Sequence, residues 1–224
     1  MADLRLLDDD EPDPDSPETP DIPEPPGPEP KEPGDNRTLS SPVNELEGRL
    51  LKQRKVLIFG AINDKLARDV TGRMLALAGD ADGPIDVFIN SPGGHVESGD
   101  TIHDVIRFVD SQVRVRVIGT GWVASAGALI FLAGRPERRL CLPNTRFLLH
   151  QPMGGVRGPA VDIDIEAREI VKMRERLNRL VARETGQPYE KVARDTDRNY
   201  WMSAEEAIAY GMVSRVIESL EDLK

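Results

Sequence analysis

Ser125 lies in the segment GWVASAGA, with Gly121, Ala124, Ala126, Gly127 and Ala128 around it. These small neighbours leave room for a reacting group where a strand-turn segment enters an apolar run that reads as a helix. A hydroxyl there meets unpaired N–H groups and the positive end of the helix dipole. Negative charge developing on a substrate carbonyl would be stabilised at such a place. The competing reading is a serine that only caps a tight turn, and the segment is not a G-x-S-x-G elbow. A second candidate is NSPGG, residues 90–94, where Pro92 restrains the turn. Gly93 and Gly94 let the backbone approach a ligand without Cβ interference, either to offer an oxyanion N–H or simply to turn a strand into a helix. The loop does not fit G-x-G-x-x-G and no P-loop occurs, which argues against nucleotide binding.

The chain has 3 histidines. His95 and His103 fall on a predicted helix and its entry, where surface positions are the expectation. His150 ends the apolar run FLLH and precedes Gln151–Pro152. A polar ring at the end of a buried strand needs a partner, and strand ends are where α/β enzymes place catalytic groups. A hydrogen-bonded structural histidine fits that position equally well. Cys141, inside an apolar strand without basic neighbours on it, reads as buried filler rather than a nucleophile.

Alternating elements must position these groups. KVLIFG (55–60), IDVFIN (85–90), RVRVIG (114–119), RRLCLP (138–143) and TRFLLH (145–150) read as strands, the third running into a glycine turn. Helices are predicted over 45–54, 64–79, 95–109 and from about Asp162 to Glu184, with Gly79 and Gly186 as stops. ASAGALIFLAG (124–134) is apolar nearly all round, which requires a central buried helix. Ser203 and Glu206 form a capping box for SAEEAIAY, stopped by Gly211, and VSRVI follows as a short strand. The alternation of strand and helix predicts an α/β fold with largely parallel strands.

The net charge of −10 belongs to one end of the chain. Residues 1–42 hold 13 Asp or Glu, 3 Lys or Arg and 11 of the 18 prolines, leaving 26 acidic and 26 basic side chains to the other 182 residues. That segment cannot bury enough apolar surface to offset the entropy of ordering, so residues 1–42 are expected to be disordered and 43–224 to form the domain. No basic n-region precedes an apolar stretch, nothing approaches a span of about 20 apolar residues, and the lone cysteine excludes internal disulfides. A cytoplasmic location is expected, with no metal, cofactor, nucleic acid or membrane partner.

In order and spacing, NSPGG, GWVASAGA, CLPNTRFLLHQPMGG and DTDRNYWMSAEEAIAYGMV resemble the proteolytic subunit of the caseinolytic (Clp) protease. The likeness covers about residues 45–219, and DIDIEAREIVKMRERLNRL looks like that family's handle helix. The resemblance implies a ClpP/crotonase-like spiral of βα units with a protruding handle strand-helix. It implies an ATP-dependent serine endopeptidase in which Ser125 is the nucleophile, His150 the general base, and Gly94 and Ala126 the oxyanion-hole donors. Asp197 and Arg198 match an acid–base pair that helps hold two rings together. Homo- or hetero-oligomeric double heptameric rings would follow, with unfolded polypeptide substrates delivered by a Clp-type ATPase chaperone.

Three departures from the family stand out. Asn199 occupies the third triad position, usually an aspartate; its oxygen can orient imidazole but supplies no negative charge. The family's axial N-terminal loop has no match. In the family's docking pocket aromatics are common: Phe88 fits, while Asp86 and Leu140 stand where an aromatic is typical. Two other readings compete. One is a weakly active or inactive structural subunit of mixed rings with an active paralogue. The other is an acyl-coenzyme A-binding relative in the crotonase superfamily, which gives no reason for Ser125 and His150 to occur together.

Overall fold

The computed structural model describes residues 42–80 and 83–223. The expectation of disorder over 1–42 lies outside them, except that Pro42 already opens helix α1 (Pro42–Lys52). Strands β1 (Lys55–Phe59), β2 (Ile85–Ser91) and β3 (Val115–Ala124) run parallel, with Val56 beside Val87 and Val87 beside Val117. Helices α2 (Asp64–Gly79) and α3 (Val96–Asp110) make the crossovers that parallel pairing demands. Helix α2 starts where the Asn63 side chain accepts the Leu66 N–H at 2.9 Å, and it buries Ala67, Val70, Met74 and Leu77 on one face. His103 on α3 is buried rather than on the surface as expected, because Ile102, Ile106 and Val109 cover only part of a buried helix perimeter that also takes in Ser98, Gly99 and Asp110.

The sheet then does something the composition conceals. β3 does not stop at a glycine turn but continues through Gly119 and Gly121 for 10 residues. Its first half pairs with β4 (Arg139–Cys141) and its second half with β5 (Arg146–Leu149), both parallel. A Cβ on Gly119 would lie 3.1 Å from Val123 and 3.2 Å from Thr145, so the hand-over is tight. Two neighbouring parallel strands, β3 and β5, therefore end side by side, and Ser125 and His150 follow those ends. β6 (Tyr200–Met202), which sequence reasoning missed, pairs antiparallel with β5. A further short strand, β7 (Arg215–Val216), pairs with β4.

The apolar run after Ser125 forms a shorter helix than expected, α4 (Ala126–Phe131), with all its residues buried. α5 (Ala160–Thr185) is the long handle helix; its buried positions begin only at Leu177, so the earlier turns stand off the core. Residues 151–159 lead into it without a strand partner among the described residues. α6 (Tyr189–Asp195), also missed in the sequence, precedes β6, and α7 (Ala204–Tyr210) carries the capping box of Ser203 and Glu206. Among the described residues no helix is long and apolar enough to cross a membrane.

One buried ion pair anchors the base of α5 to the sheet. Arg139 is fully buried; its guanidinium donates to the carbonyls of Gly134, Leu132 and Glu184 and to the Glu184 carboxylate at 2.5 Å. Burial pulls the Glu184 carboxyl pKa upward, yet Arg183, Arg139 and Arg107 outweigh it and hold the group below its ordinary value. Removing one partner strands the other without solvent. Arg139→Ala is expected to cost about 3–5 kcal/mol, read as a fall in the denaturation midpoint. Because the folded Glu184 pKa is depressed, its contribution is present above the ordinary 4.5 and is lost as pH falls through the folded value.

Candidate active site

Ser125 stands at the N-cap position of α4, but its side chain makes no capping bond. Its hydroxyl lies 2.7 Å from His150 Nε2 instead. The backbone is held at φ 55° and ψ −123°, a left-handed conformation for a non-glycine residue, while the Ser125 N–H donates to Leu148 O at 2.9 Å. Strain of this kind persists only where the surroundings over-determine it, and it presents the hydroxyl away from the helix it precedes. Leu148 lies opposite Ala124 in the β3–β5 ladder, so the same pairing that fixes the strands fixes the serine beside His150.

β6 supplies the third group through register. Leu149 lies opposite Tyr200, and one further antiparallel step brings His150 to Asn199. Asn199 Oδ1 sits 3.2 Å from His150 Nδ1. With the amide oxygen on that side, Nδ1 would carry the proton, and Nε2 would keep its lone pair for the serine O–H. Asp197 does not share this contact: its carboxylate accepts from Arg174 Nη2 at 2.9 Å, and its carbonyl accepts from Gln151 Nε2 at 2.7 Å. Arg198 is exposed and makes no hydrogen bond or ion pair among the described residues.

The glycine loop is built to aim an N–H. Ile62 N–H donates to Gly93 O at 2.9 Å, and His95 N–H donates to Ile62 O at 3.0 Å. In a trans peptide the N–H points opposite to the C=O, so the Gly94 N–H is directed away from Ile62. Among the described residues it has no acceptor, and neither has the N–H of Ala126, the first residue of α4. Side chains would close this space. A Cβ on Gly93, at φ 101°, would lie 2.5 Å from the Ser125 Cβ; one on Gly94 would lie 2.2 Å from Ile62 O. Ser91, unnoticed in the sequence, holds the loop from inside, its hydroxyl accepting the Gly93 N–H at 3.1 Å.

Two cavities adjoin these groups. A small apolar one beside Ser125 and His150 is walled by Val96, Leu129, Leu149, Leu177 and Val181, with Asn178 and Thr196 also lining it. A cleft of about 550 Å³ runs between Gly94–Glu97, Pro152–Gly154 and the α5 face at Ile170 and Met173. Cys141 takes no part: it is fully buried, and burial foremost pushes its thiol up to about 11.

A parallel sheet whose neighbouring strand ends carry a serine and a histidine in hydrogen-bond contact has the arrangement of an α/β serine hydrolase. The family model for the Clp protease matches residues 40–220. The "ATP-dependent Clp protease proteolytic subunit 2" of Gluconobacter oxydans is 80% identical over 190 residues, 85% of each chain. The proteolytic subunit 3 of Rhizobium etli is 58% identical over 190 residues, 84% of this chain and 97% of that one. Among solved structures, ClpP1 from Listeria monocytogenes matches with a TM-score of 0.72 and 52% identity, covering 80% of this chain and 99% of that chain. The chain belongs to the Clp protease family, a family of serine endopeptidases.

Proposed function

We propose that this chain is a ring-forming endopeptidase subunit that cleaves unfolded polypeptides delivered by an ATPase chaperone ring, in the cytoplasm, with Ser125 as nucleophile and His150 as general base. The observation that carries the reading is the unbroken contact from Ser125 Oγ through the His150 ring to Asn199 Oδ1. Ser125 Oγ attacks the scissile carbonyl carbon while its proton passes to His150 Nε2. The carbonyl oxygen, now an oxyanion, takes the N–H groups of Gly94 and Ala126. Collapse breaks the C–N bond, and the leaving amine takes the proton from Nε2. Water then attacks the acyl-serine ester, giving its proton to Nε2, which returns it to Ser125 as the acid leaves.

Assembly into stacked heptamers is supported by α5. Val161, Ile163, Ile165 and Val171 are exposed around its outstanding turns, apolar surface that the handle of a second copy would cover. Asp197 and Arg198, exposed beside it, fit the ring-contact pair. An ATPase would meet Phe88, Leu142 and Leu223, which are partly exposed over a small core cluster of the buried Ile118, Leu140 and Ile217. Asp86 at its edge is bonded to Arg116 at 2.6 Å and so is not an open charge. Residues 1–42 are too acidic and proline-rich to be needed for the core. A chain beginning at Val43 is expected to keep its peptidase activity and particle mass, checked by native mass measurement and peptide cleavage.

One feature favours the second reading, a weakly active subunit in mixed rings: Asn199 is neutral. It orients His150 in the right tautomer but does not stabilise the imidazolium formed in the transition state. Aspartate-to-asparagine change in a serine protease costs about 10⁴ in rate, through the wrong tautomer; here the facing oxygen removes that part. The expected result is a working but slow peptidase. Asn199→Asp should speed single-turnover acylation, Asn199→Ala should slow it, and Asp197→Ala should leave it unchanged at fixed assembly state. Wild-type rates in Asn199→Ala together with loss in Asp197→Ala would reassign the third position. No cleavage of a fluorogenic peptide by the purified chain alone would favour the mixed-ring reading.

A further inference from the structure

We propose that His95 is a positioning residue for the oxyanion loop, acting as a side-chain latch to the start of α2; the inference rests on reading Gly94 as an oxyanion donor. The vulnerable point is the peptide plane between Gly93 and Gly94. No Cβ on either side opposes rotation of that plane, and φ is 101° at Gly93 and 149° at Gly94. A flip would turn the Gly94 N–H away from the position it now takes and replace a donor by a carbonyl oxygen. Within the loop the Gly93 carbonyl is restrained by one backbone bond, from Ile62 N–H at 2.9 Å. That bond holds only while residues 62–64 stay beside residues 93–95.

A second stitch joins these segments two residues further along. Ser98, buried on the first turns of α3, donates to Asp64 Oδ1 at 2.5 Å, and its oxygen lies 2.8 Å from His95 Nδ1. His95 Nδ1 is also 3.3 Å from Asp64 Oδ1, and its Nε2 is 3.1 Å from Glu97 Oε2. Both ring nitrogens thus face carboxylates, one on α2 and one on α3. The Ser98 bond foremost, with the His95 ring beside it, holds the Asp64 carboxyl below its usual range. Isolated exposed pairs stabilise little, and His95 and Asp64 are exposed; what strengthens this network is the charge-assisted bond from the buried Ser98 hydroxyl to the Asp64 carboxylate. The backbone bonds at Ile62 and the side-chain network at Asp64 together fix the loop against α2 at two points.

The test uses His95→Ala and Asp64→Asn in the full chain, with a peptide boronate whose tetrahedral adduct on the serine places an oxygen in the oxyanion hole. Losing the latch should lower kcat about tenfold, short of the roughly 10²–10³ for deleting a donor outright. KM should stay unchanged, and boronate affinity should fall by the same factor as kcat. Both side chains are more than half exposed, so the two variants should fold as wild type does, and their thermal melts check this. A raised KM at unchanged kcat would overturn the proposal, as would boronate binding by both variants equal to wild type. If wild type itself bound the boronate no more tightly than the matching peptide amide, the oxyanion reading would fall first and this inference with it.

Discussion

Ser125→Ala is expected to lower peptide turnover by about 10⁴ or more while leaving the fold and particle mass unchanged. Removing the nucleophile from an efficient serine protease costs roughly 10⁶, with a residue of activity from the oxyanion hole and binding. That floor applies here too. The expected ceiling is lower, because on the proposed role of Asn199 the imidazolium would lack a facing carboxylate, so the expected ratio shrinks from above. The substitution removes one oxygen at a residue whose side chain makes no capping bond, so stability has little to lose. Initial rates on a fluorogenic peptide, with circular dichroism as the control, give the comparison. Turnover of the alanine variant within tenfold of wild type would remove Ser125 from the chemistry.

Gly94→Ala should be the next most damaging single change. Its Cβ would meet Ile62 O at 2.2 Å, so the loop must leave Ile62 and carry the N–H out of line. Loss of one oxyanion donor predicts a fall of about 10²–10³ in kcat with little change in KM. Gly93→Ala should do similar harm from the other side, through contact at 2.5 Å with the Ser125 Cβ. Gly72→Ala is the control: Gly72 is exposed on the outer face of α2, and nothing lies within 4 Å of its Cβ. It should keep full activity and gain up to about 1 kcal/mol in stability. Equal kcat in Gly94→Ala and wild type would contradict the role given to that loop.

Local pattern made the crossover units legible. α2 spans 64–79 as its apolar spacing and terminal glycine predict, and the capping box at Ser203 is formed as written. What the sequence hid is non-local. The three residues of β6 carry no periodic signal, and only pairing with β5 gives them a conformation. That pairing brings Asn199, and not Asp197, within hydrogen-bond distance of His150; alternation along an extended segment puts both on one side of it. The continuation of β3 past two glycines was obscured for a related reason. Glycine usually marks a turn, but at Gly119 it admits Val123, Thr145 and Phe147 to close contact inside a strand. The His95–Ser98–Asp64 network joins residues about 30 positions apart, and nothing in either segment announces the other.

The central claim is that this chain, by itself, carries a competent nucleophile at Ser125. Intact-mass analysis of the purified chain after exposure to a fluorophosphonate, followed by peptide mapping, tests it most directly. The account predicts one adduct per chain, on the peptide containing Ser125, formed slowly in wild type, faster in Asn199→Asp and absent in Ser125→Ala. An unlabelled wild-type chain, or an adduct mapping to any other residue, would contradict it.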